Sequence, residues 1–126
     1  MILMSEMMHE ILVCGGRDFQ DSEYLFKMLD IALRLHPDMV VISGAARGAD
    51  TLAVEWAKSR GVPFKEFPAE WAKHGRSAGP KRNQKMLDEN NVKLVLAFKG
   101  GSGTVDMVRR ATQAGIMVYK VGGWMS

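Results

Sequence analysis

Short apolar runs alternate along this chain with segments of helical periodicity. Nearly continuous apolar runs occupy residues 10–14, 39–42 and 93–98, a more alternating run occupies 64–67, and a last run occupies 116–121. Continuous apolar strands indicate a sheet covered on both faces, and helices between the strands indicate that the strands are parallel. The sequence therefore predicts a doubly wound three-layer α/β/α sandwich with a mainly parallel five-stranded sheet.

Two helices are predicted in the first half of the chain. The first begins at Asp21 or Ser22, because either residue caps a helix N-terminus. Its apolar residues repeat on one face: Leu25, Met28, Leu29, Ala32 and Leu35. The second helix follows Gly48, and its inward stripe consists of Leu52, Ala53, Trp56 and Ala57.

The second half contains a segment without clean periodicity. Residues 68–80 are predicted to form a loop, and a loop of this length suggests a function. A third helix is predicted over residues 81–90 and a fourth over 104–114, closed by Gly115. Residues 1–9 are predicted to be a flexible extension, followed by one domain over residues 10–126.

Composition and charge limit the function. The single cysteine, Cys14, is predicted to lie in the core and cannot form an internal disulfide, which favours a reducing cytoplasm. No apolar run approaches the roughly 18 residues of a membrane span. The net charge of +3 favours an anionic ligand weakly and disfavours nucleic acid. His9, His36 and His74 have no partners at metal-ligand spacing, so no metal site is predicted.

Glycine turns follow three of the predicted strands at their carboxyl ends, where parallel sheets bind ligands. Seven of the 13 glycines lie in these turns: Gly15, Gly16, Gly44, Gly48, Gly100, Gly101 and Gly103. Each turn leads towards a helix N-terminus, whose free N–H groups and dipole favour an anion. A purely structural explanation also exists, because strand-to-helix turns often need glycine. The convergence of three such turns favours a binding site.

The sequence Gly101-Ser102-Gly103-Thr104, which opens the fourth helix, is typical of a turn that binds phosphate. It is not a Walker A loop, because no Gly-Lys-Ser/Thr follows at the required spacing. It also lacks the third glycine of the dinucleotide-binding fingerprint. These differences disfavour an ATPase and an NAD enzyme, and no cofactor is predicted.

Few charged side chains are predicted at the same edge. Arg17 and Arg82 suit a phosphate, because a guanidinium group can bind it with two parallel hydrogen bonds. Asp106 is predicted to accept hydrogen bonds from ribose hydroxyls. An interaction with the helix dipole is the favoured explanation for Asp50 and the alternative for Asp106. Trp71 either stacks on a base or packs over the sheet edge.

Five motifs of this chain resemble those of the YspA-type, YpsA-related SLOG proteins. They are GGRDF at 15–19, SGAARGAD at 43–50, FPAEW at 67–71, AGPKRN at 78–83, and GGSGT at 100–104 with Asp106. The resemblance extends over residues 11–121. It implies a Rossmann-like fold that binds nucleotides or nucleotide-derived molecules at this edge. The predicted ligand-binding residues are Gly15, Gly16, Arg17, Asp18, Ser43, Gly44, Arg47, Gly48, Asp50, Arg82, Asn83, Gly100, Gly101, Ser102, Gly103, Thr104 and Asp106.

The wider SLOG superfamily includes the DNA-processing protein DprA and the Lonely Guy enzymes, which cleave the N-glycosidic bond of nucleoside monophosphates. The Lonely Guy motif P-G-G-x-G-T-x-x-E is altered here, with Lys99 for the proline and Met107 for the glutamate. Asp106 precedes that position by one residue, and Arg82 is the positional equivalent of the catalytic arginine. Arg82 and Asp106 are therefore the catalytic candidates.

Two functions follow from these observations. The first is a binding protein or sensor for a nucleotide or a nucleotide-derived phosphorylated ribosyl ligand. The alternative is a Lonely Guy-like N-glycosidase, a phosphoribohydrolase. A nucleic-acid-binding module is a third interpretation, which the modest charge and the lack of interleaved aromatic residues disfavour. Assembly into a homodimer or a higher homo-oligomer is compatible with each of them.

Overall fold

The computed structural model describes residues 8–122 of the 126-residue chain. The predicted N-terminal extension therefore lies mostly outside the described residues, although His9 already belongs to the first strand. The elements in chain order are β1 (His9–Cys14), α1 (Ser22–Leu35), β2 (Met39–Ser43), α2 (Ala49–Arg60), β3 (Phe64–Glu66), α3 (Trp71–His74), a 3₁₀ turn (Gly75–Ser77), α4 (Ala78–Asp88), β4 (Val92–Ala97), α5 (Ser102–Gln113) and β5 (Met117–Lys120).

The five strands form one sheet in the order β3-β2-β1-β4-β5. All four neighbouring pairs are parallel, which confirms the predicted fold class and makes the sheet fully parallel. The chain moves outward from β1 to β2 and β3, and then returns to the other side of β1 for β4 and β5. The carboxyl ends of β1 and β4 are therefore the point where strand order reverses, which is the usual ligand position in such sheets.

Successive residues of β1 pack against helices on opposite faces of the sheet. Val13 lies in one core with Leu29 of α1 and Trp56 of α2. Leu12 lies in the other core with Met107 of α5. All five side chains are at most 1% exposed, and full burial of an aliphatic side chain contributes roughly 1.5–3 kcal/mol. The helices on both faces complete the three-layer sandwich.

Local signals placed the ends of several helices correctly. The carboxylate of Asp21 accepts a hydrogen bond from the backbone N–H of Tyr24, at 3.1 Å, which confirms the predicted cap of α1. Gly115 follows α5 with a φ of 76°, as expected for the predicted C-terminal glycine. Leu35 is wrongly assigned to the inward face, because it is 70% exposed in the last turn of α1.

The prediction of a loop over residues 68–80 is wrong. This segment contains α3, the 3₁₀ turn and the beginning of α4. A helix of four residues is too short to show a hydrophobic period, so the sequence pattern could not reveal α3. Pro80 is the third residue of α4, where a missing N–H breaks no intrahelical hydrogen bond. Helix α4 therefore begins three residues before the predicted start.

Within residues 8–122, no helix is both long enough and apolar enough to cross a membrane.

Candidate functional site

A cavity of about 810 Å³ lies at the carboxyl ends of β1 and β4. Its volume is within the usual range for small-molecule sites. The predicted residues that line it are Gly15, Gly16, Arg17, Asp18, Asp50, Arg82, Asn83, Gly100, Gly101, Ser102, Gly103 and Thr104. Ser43, Gly44, Arg47, Gly48 and Asp106 are not among the lining residues. The reversal of strand order therefore brings most of the predicted site together.

Sequence reasoning did not assign several other residues that line the cavity. They are Cys14, Phe19, Gln20, Asp21, Ala46, Gly79, Met86, Lys99 and Met107. Trp71, for which the sequence left base stacking and packing over the sheet edge open, also lines the cavity. Lys99 directly follows Phe98, the last residue of the apolar run that contains β4. Its position at the carboxyl end of a strand could therefore have predicted that it lines the cavity. Gly79 and Met86 lie on α4, and no local sequence pattern distinguishes the helix residues that line the cavity from those that pack in the core.

The first and third glycine turns pack backbone against backbone. The N–H of Gly16 donates to the carbonyl of Lys99 at 3.0 Å. A Cβ on Gly100 would overlap Thr104 Oγ1 and lie 2.6 Å from the nitrogen of Gly16. A Cβ on Gly15 would lie 2.6 Å from the Cβ of Ala49. Glycine at these positions is therefore explained by the fold alone, whatever the cavity binds.

Gly101 and Gly103 differ from these glycines. A Cβ at either position would meet nothing within 4 Å, and neither residue has a positive φ. Steric packing therefore does not require glycine at either position, although glycine is favoured at an N-cap such as Gly101. Both residues line the cavity, where the missing side chains leave the backbone open to close approach.

The second glycine turn is fixed to the first. Gly48 has a φ of 79°, and a Cβ on it would overlap the carbonyl oxygen of Gly16. The N–H of Ala49, the first residue of α2, donates to that same carbonyl at 3.3 Å. Ser43 is fully buried, donates to the carbonyl of Asp50 and accepts from the N–H of Ala45, both at 3.2 Å. These residues build the turn behind the cavity wall.

The N-terminus of α5 opens at the cavity without a side-chain cap. Gly101 is the N-cap residue, and its carbonyl accepts the hydrogen bond from the N–H of Val105 at 3.1 Å. The N–H groups of the first turn have no carbonyl partner within the helix. Together with the helix dipole, they give this end of α5 a partial positive charge.

Asn83 connects α4 to this first turn. Its side chain is only 4% exposed, and its Nδ2 donates to the carbonyl of Gly103 at 3.2 Å and to Asp106 Oδ2 at 2.9 Å. Its Oδ1 accepts from Arg82 Nε at 3.0 Å. The amide of Asn83 thus holds the start of α5 against α4, a structural role that the sequence pattern did not reveal.

Arg82 lies half-buried in the cavity wall. Besides contacting Asn83, its Nη1 donates to the carbonyl of Gly44. Burial lowers the pKa of the guanidinium group from its usual value, although the charge of Asp50 acts in the opposite direction. A Cβ on Gly44 would lie 2.7 Å from Arg82 Nη1 and 2.9 Å from Asp50 Oδ2, so Gly44 leaves the space that both side chains occupy.

Asp50 is enclosed far more than its helical position suggested. Only 6% of it is exposed, and its Oδ2 accepts from the N–H of Ala46 at 3.3 Å. Burial raises the pKa of this carboxyl to about 6, against the opposing effects of the Ala46 N–H, Arg82 and Arg17. A carboxyl in a cavity that changes its charge near neutral pH is typical of functional sites.

Replacing Asp50 with asparagine is expected to stabilise the protein more at pH 7.5 than at pH 5. Because the folded-state pKa lies above the unfolded value of about 3.9, the contribution of Asp50 is present below pH 4 and lost as pH rises through about 6. Between pH 5 and pH 7.5, the difference in unfolding free energy between variant and wild type should change by about 1–1.5 kcal/mol. Urea unfolding at both pH values measures it.

Asp30→Asn is the matched control. Hydrogen bonds from Arg60 and Trp56 lower the pKa of Asp30, so this carboxyl is ionised at both pH values. Its replacement should change the free energy of unfolding equally at pH 5 and pH 7.5. Equal effects for Asp50→Asn as well would contradict the raised pKa of Asp50.

Asp106 is not among the residues that line the cavity, and its carboxylate is held by other side chains. Its carboxylate forms ion pairs with Arg109 at 2.6 Å and Arg110 at 2.8 Å and accepts from Asn83. Burial alone would raise the pKa of Asp106, but hydrogen bonds from Arg110, Asn83 and Arg109 together hold it below its usual value. The predicted position of Asp106 in the first turn of the helix is wrong, because α5 begins at Ser102 rather than at Thr104.

Met107 lies at the cavity wall and is only 1% exposed. It occupies the sequence position at which the Lonely Guy motif has glutamate.

Cys14 is buried in the core as predicted, and burial raises the pKa of its thiol, with a further contribution from Asp50. Among residues 8–122, no group of three or more histidine, cysteine or acidic residues is arranged to hold a metal ion.

Comparisons with known proteins agree with this architecture. The family described as YspA, cpYpsA-related SLOG matches residues 9–74. The Gene 61 protein of Mycobacterium phage D29 is 36% identical over 123 residues, which cover 91% of this chain and 98% of that protein.

The crystal structure of DNA processing protein A (DprA) from Streptococcus pneumoniae has a similar fold, with a TM-score of 0.76 and 18% sequence identity. The likeness covers 94% of this chain and 52% of DprA, so the chain spans about half the length of that protein. The family match and the phage relative together carry the assignment. This chain belongs to the YspA, cpYpsA-related SLOG family, as its five motifs predicted.

Proposed function

We propose that this protein binds a nucleotide or a nucleotide-derived phosphorylated ribosyl ligand in the cavity, and that it acts as a binding protein or sensor. One observation carries the proposal. The uncapped N-terminus of α5 opens at the cavity, and its two glycines, Gly101 and Gly103, have open space where a Cβ would lie. A phosphate group is the ligand chemistry that such a helix end favours.

Cations from three other elements support a phosphate at this helix end. Arg17 follows β1, Lys99 follows β4, and Arg82 lies on α4, and all three line the cavity. The hydroxyl groups of Ser102 and Thr104 add further donors within the same turn. A ligand phosphate would therefore meet both backbone N–H groups and full positive charges.

Carboxylates on the cavity wall support a ribose next to that phosphate. Asp18 is exposed after β1, and Asp50 is enclosed beside Arg82. A carboxylate can accept hydrogen bonds from two neighbouring hydroxyl groups. These two residues take over the role that the sequence had suggested for Asp106, whose carboxylate is already paired with two arginines.

Calorimetric titration of the protein with 5′-AMP tests this proposal directly. Arg82→Ala should weaken 5′-AMP binding by about 1.5–3 kcal/mol, because it removes a charge-assisted contact to the anionic group. Arg109→Ala is the matched control, since Arg109 is exposed, pairs with Asp106 and does not line the cavity.

Arg82 also contacts Gly44 and Asn83, so the melting temperature of each variant must accompany its affinity. Arg82→Lys keeps the charge and loses the planar fork, and it should bind with intermediate affinity. Unchanged affinity in a folded Arg82→Ala protein would contradict a phosphate contact at Arg82. Absence of 5′-AMP binding by the wild type would contradict the proposed function.

An N-glycosidase is the second candidate function, and Asp50 is the observation that favours it. Its carboxyl has a pKa of about 6 and lies in the same cavity as Arg82. In such a reaction, a protonated carboxyl donates its proton to the departing base as the bond to the base breaks. Water adds to the sugar carbon and gives its excess proton to the resulting carboxylate. Chromatography of released adenine tests this candidate, and Asp50→Asn should abolish the release.

The structural likeness to DprA concerns the fold, and we do not extend DNA processing to this chain. The net charge of +3 is small for a protein that binds nucleic acid. Binding of DNA with a steep dependence on salt concentration would contradict a small-molecule ligand.

A further inference from the structure

An exposed tryptophan lies at the edge of the cavity. Trp71 is the first residue of the short helix α3, lines the cavity, and is 48% exposed. Gly79 of α4 lies against its ring, since a Cβ on Gly79 would come within 3.4 Å of Trp71 Cη2. The indole therefore lies close to the backbone of α4 on this side of the cavity.

The contrast with Trp56 shows what a structural tryptophan does in this fold. Trp56 is fully buried, and its indole N–H donates to Asp30 Oδ1 at 2.8 Å. Trp71 instead leaves about half of its large apolar surface uncovered. The cavity position and the exposed ring together indicate a surface that another flat group can cover.

A cation already occupies one face of this ring. The guanidinium carbon of Arg17 lies 5.2 Å from the ring centroid of Trp71. Arg17 follows β1 and Trp71 follows β3, so the pair bridges two separate segments at the cavity. Arg17 is itself exposed, which leaves its side chain free to take other rotamers.

We propose that Trp71, on the face now covered by Arg17, forms the base-binding part of the cavity, and that the ligand therefore carries an aromatic base. This inference rests on the proposed function. A flat ring between the two side chains needs about 7 Å, which is two layers of van der Waals contact. The observed 5.2 Å is too short for that, so the base displaces Arg17 from the indole face.

Stacking also sets the expected order of ligands. Every base has a π-face, so stacking tolerates different bases, and a larger ring covers more of the indole. Purine nucleotides should bind more tightly than pyrimidine nucleotides. Ribose 5-phosphate, which has the phosphate and the sugar but no base, should bind most weakly.

The test is a titration of the wild type, Trp71→Ala and Trp71→Phe with 5′-AMP and with ribose 5-phosphate. Trp71→Ala should lose about 5- to 150-fold in affinity for 5′-AMP, the usual loss for one stacked base. Its affinity for ribose 5-phosphate should not change. Trp71→Phe should keep most of the affinity for 5′-AMP, because phenylalanine also offers an aromatic face.

Each outcome separates this inference from the proposed function. Tight binding of 5′-AMP by a folded Trp71→Ala protein would overturn stacking on Trp71 and leave the phosphate site standing. Equal losses for both ligands would also overturn it, because the residue would then act on the cavity as a whole. If the wild type binds neither ligand, the proposed function and this inference both fail.

Discussion

Replacing Gly48 with alanine is expected to destabilise the protein by about 3–5 kcal/mol. Two costs combine at this position. The φ of 79° strains a residue with a side chain, and the new Cβ would overlap the carbonyl oxygen of Gly16 and lie 2.7 Å from that of Arg17. Both obstacles are backbone atoms, so no side-chain rotation relieves them.

Gly61→Ala is the matched control for this prediction. Gly61 has a similar φ of 68° at the end of α2, but a Cβ there would meet nothing within 4 Å. Its replacement should cost only about 1 kcal/mol, because the strain is present without the overlap. Urea unfolding of both variants gives the two free energies, and equal losses would show that the turns following β1 and β2 do not pack as described.

Replacing Gly103 with valine is expected to abolish binding of 5′-AMP while the fold survives. Gly103 lines the cavity in the first turn of α5, and its Cβ position is open. A valine side chain there would occupy space beside the free N–H groups and keep a phosphate at a distance. Valine is not worse than glycine within a helix, so the melting temperature should change little. Gly101→Val should act in the same way, with an added cost for the lost N-cap glycine.

Ala114→Val provides the control for Gly103→Val. Ala114 follows the last residue of α5 and is exposed, and it does not line the cavity. The same side chain at the far end of the helix should leave binding of 5′-AMP unchanged. Calorimetric titration of both variants decides the matter, and wild-type affinity in Gly103→Val would mean that the helix end does not hold the phosphate.

These two predictions rest on a distinction that the sequence could not make. All seven glycines of the three turns look alike in the printed chain. In the fold, Gly48 and Gly100 are required by neighbouring backbone, whereas Gly101 and Gly103 have nothing near their missing side chains. The neighbours of Gly48 are more than 30 residues away along the chain, which no local pattern records.

The sequence alone determined the order of the five strands and of the four longer helices, the parallel sheet and the family. Apolar runs such as residues 39–42 form a strand that is buried on both faces. Asp21 caps α1 through a hydrogen bond with Tyr24, which is only three residues away in the sequence. Such signals depend only on residues close together in the sequence, so they predict these elements without knowledge of the tertiary structure. The five motifs added the family and the edge of the sheet at which the cavity lies.

Only the tertiary structure decided which predicted residues face the cavity. Because α5 begins at Ser102, Asp106 lies beyond the first turn of the helix. There its carboxylate is bound by Asn83 and two arginines. Packing of α2 and α4 against Gly44 enclosed Asp50 beside Arg82 and raised its pKa to about 6. The physical reason is that burial and charge at a site depend on contacts between segments far apart in the chain, and those exist only after the helices have packed on the sheet.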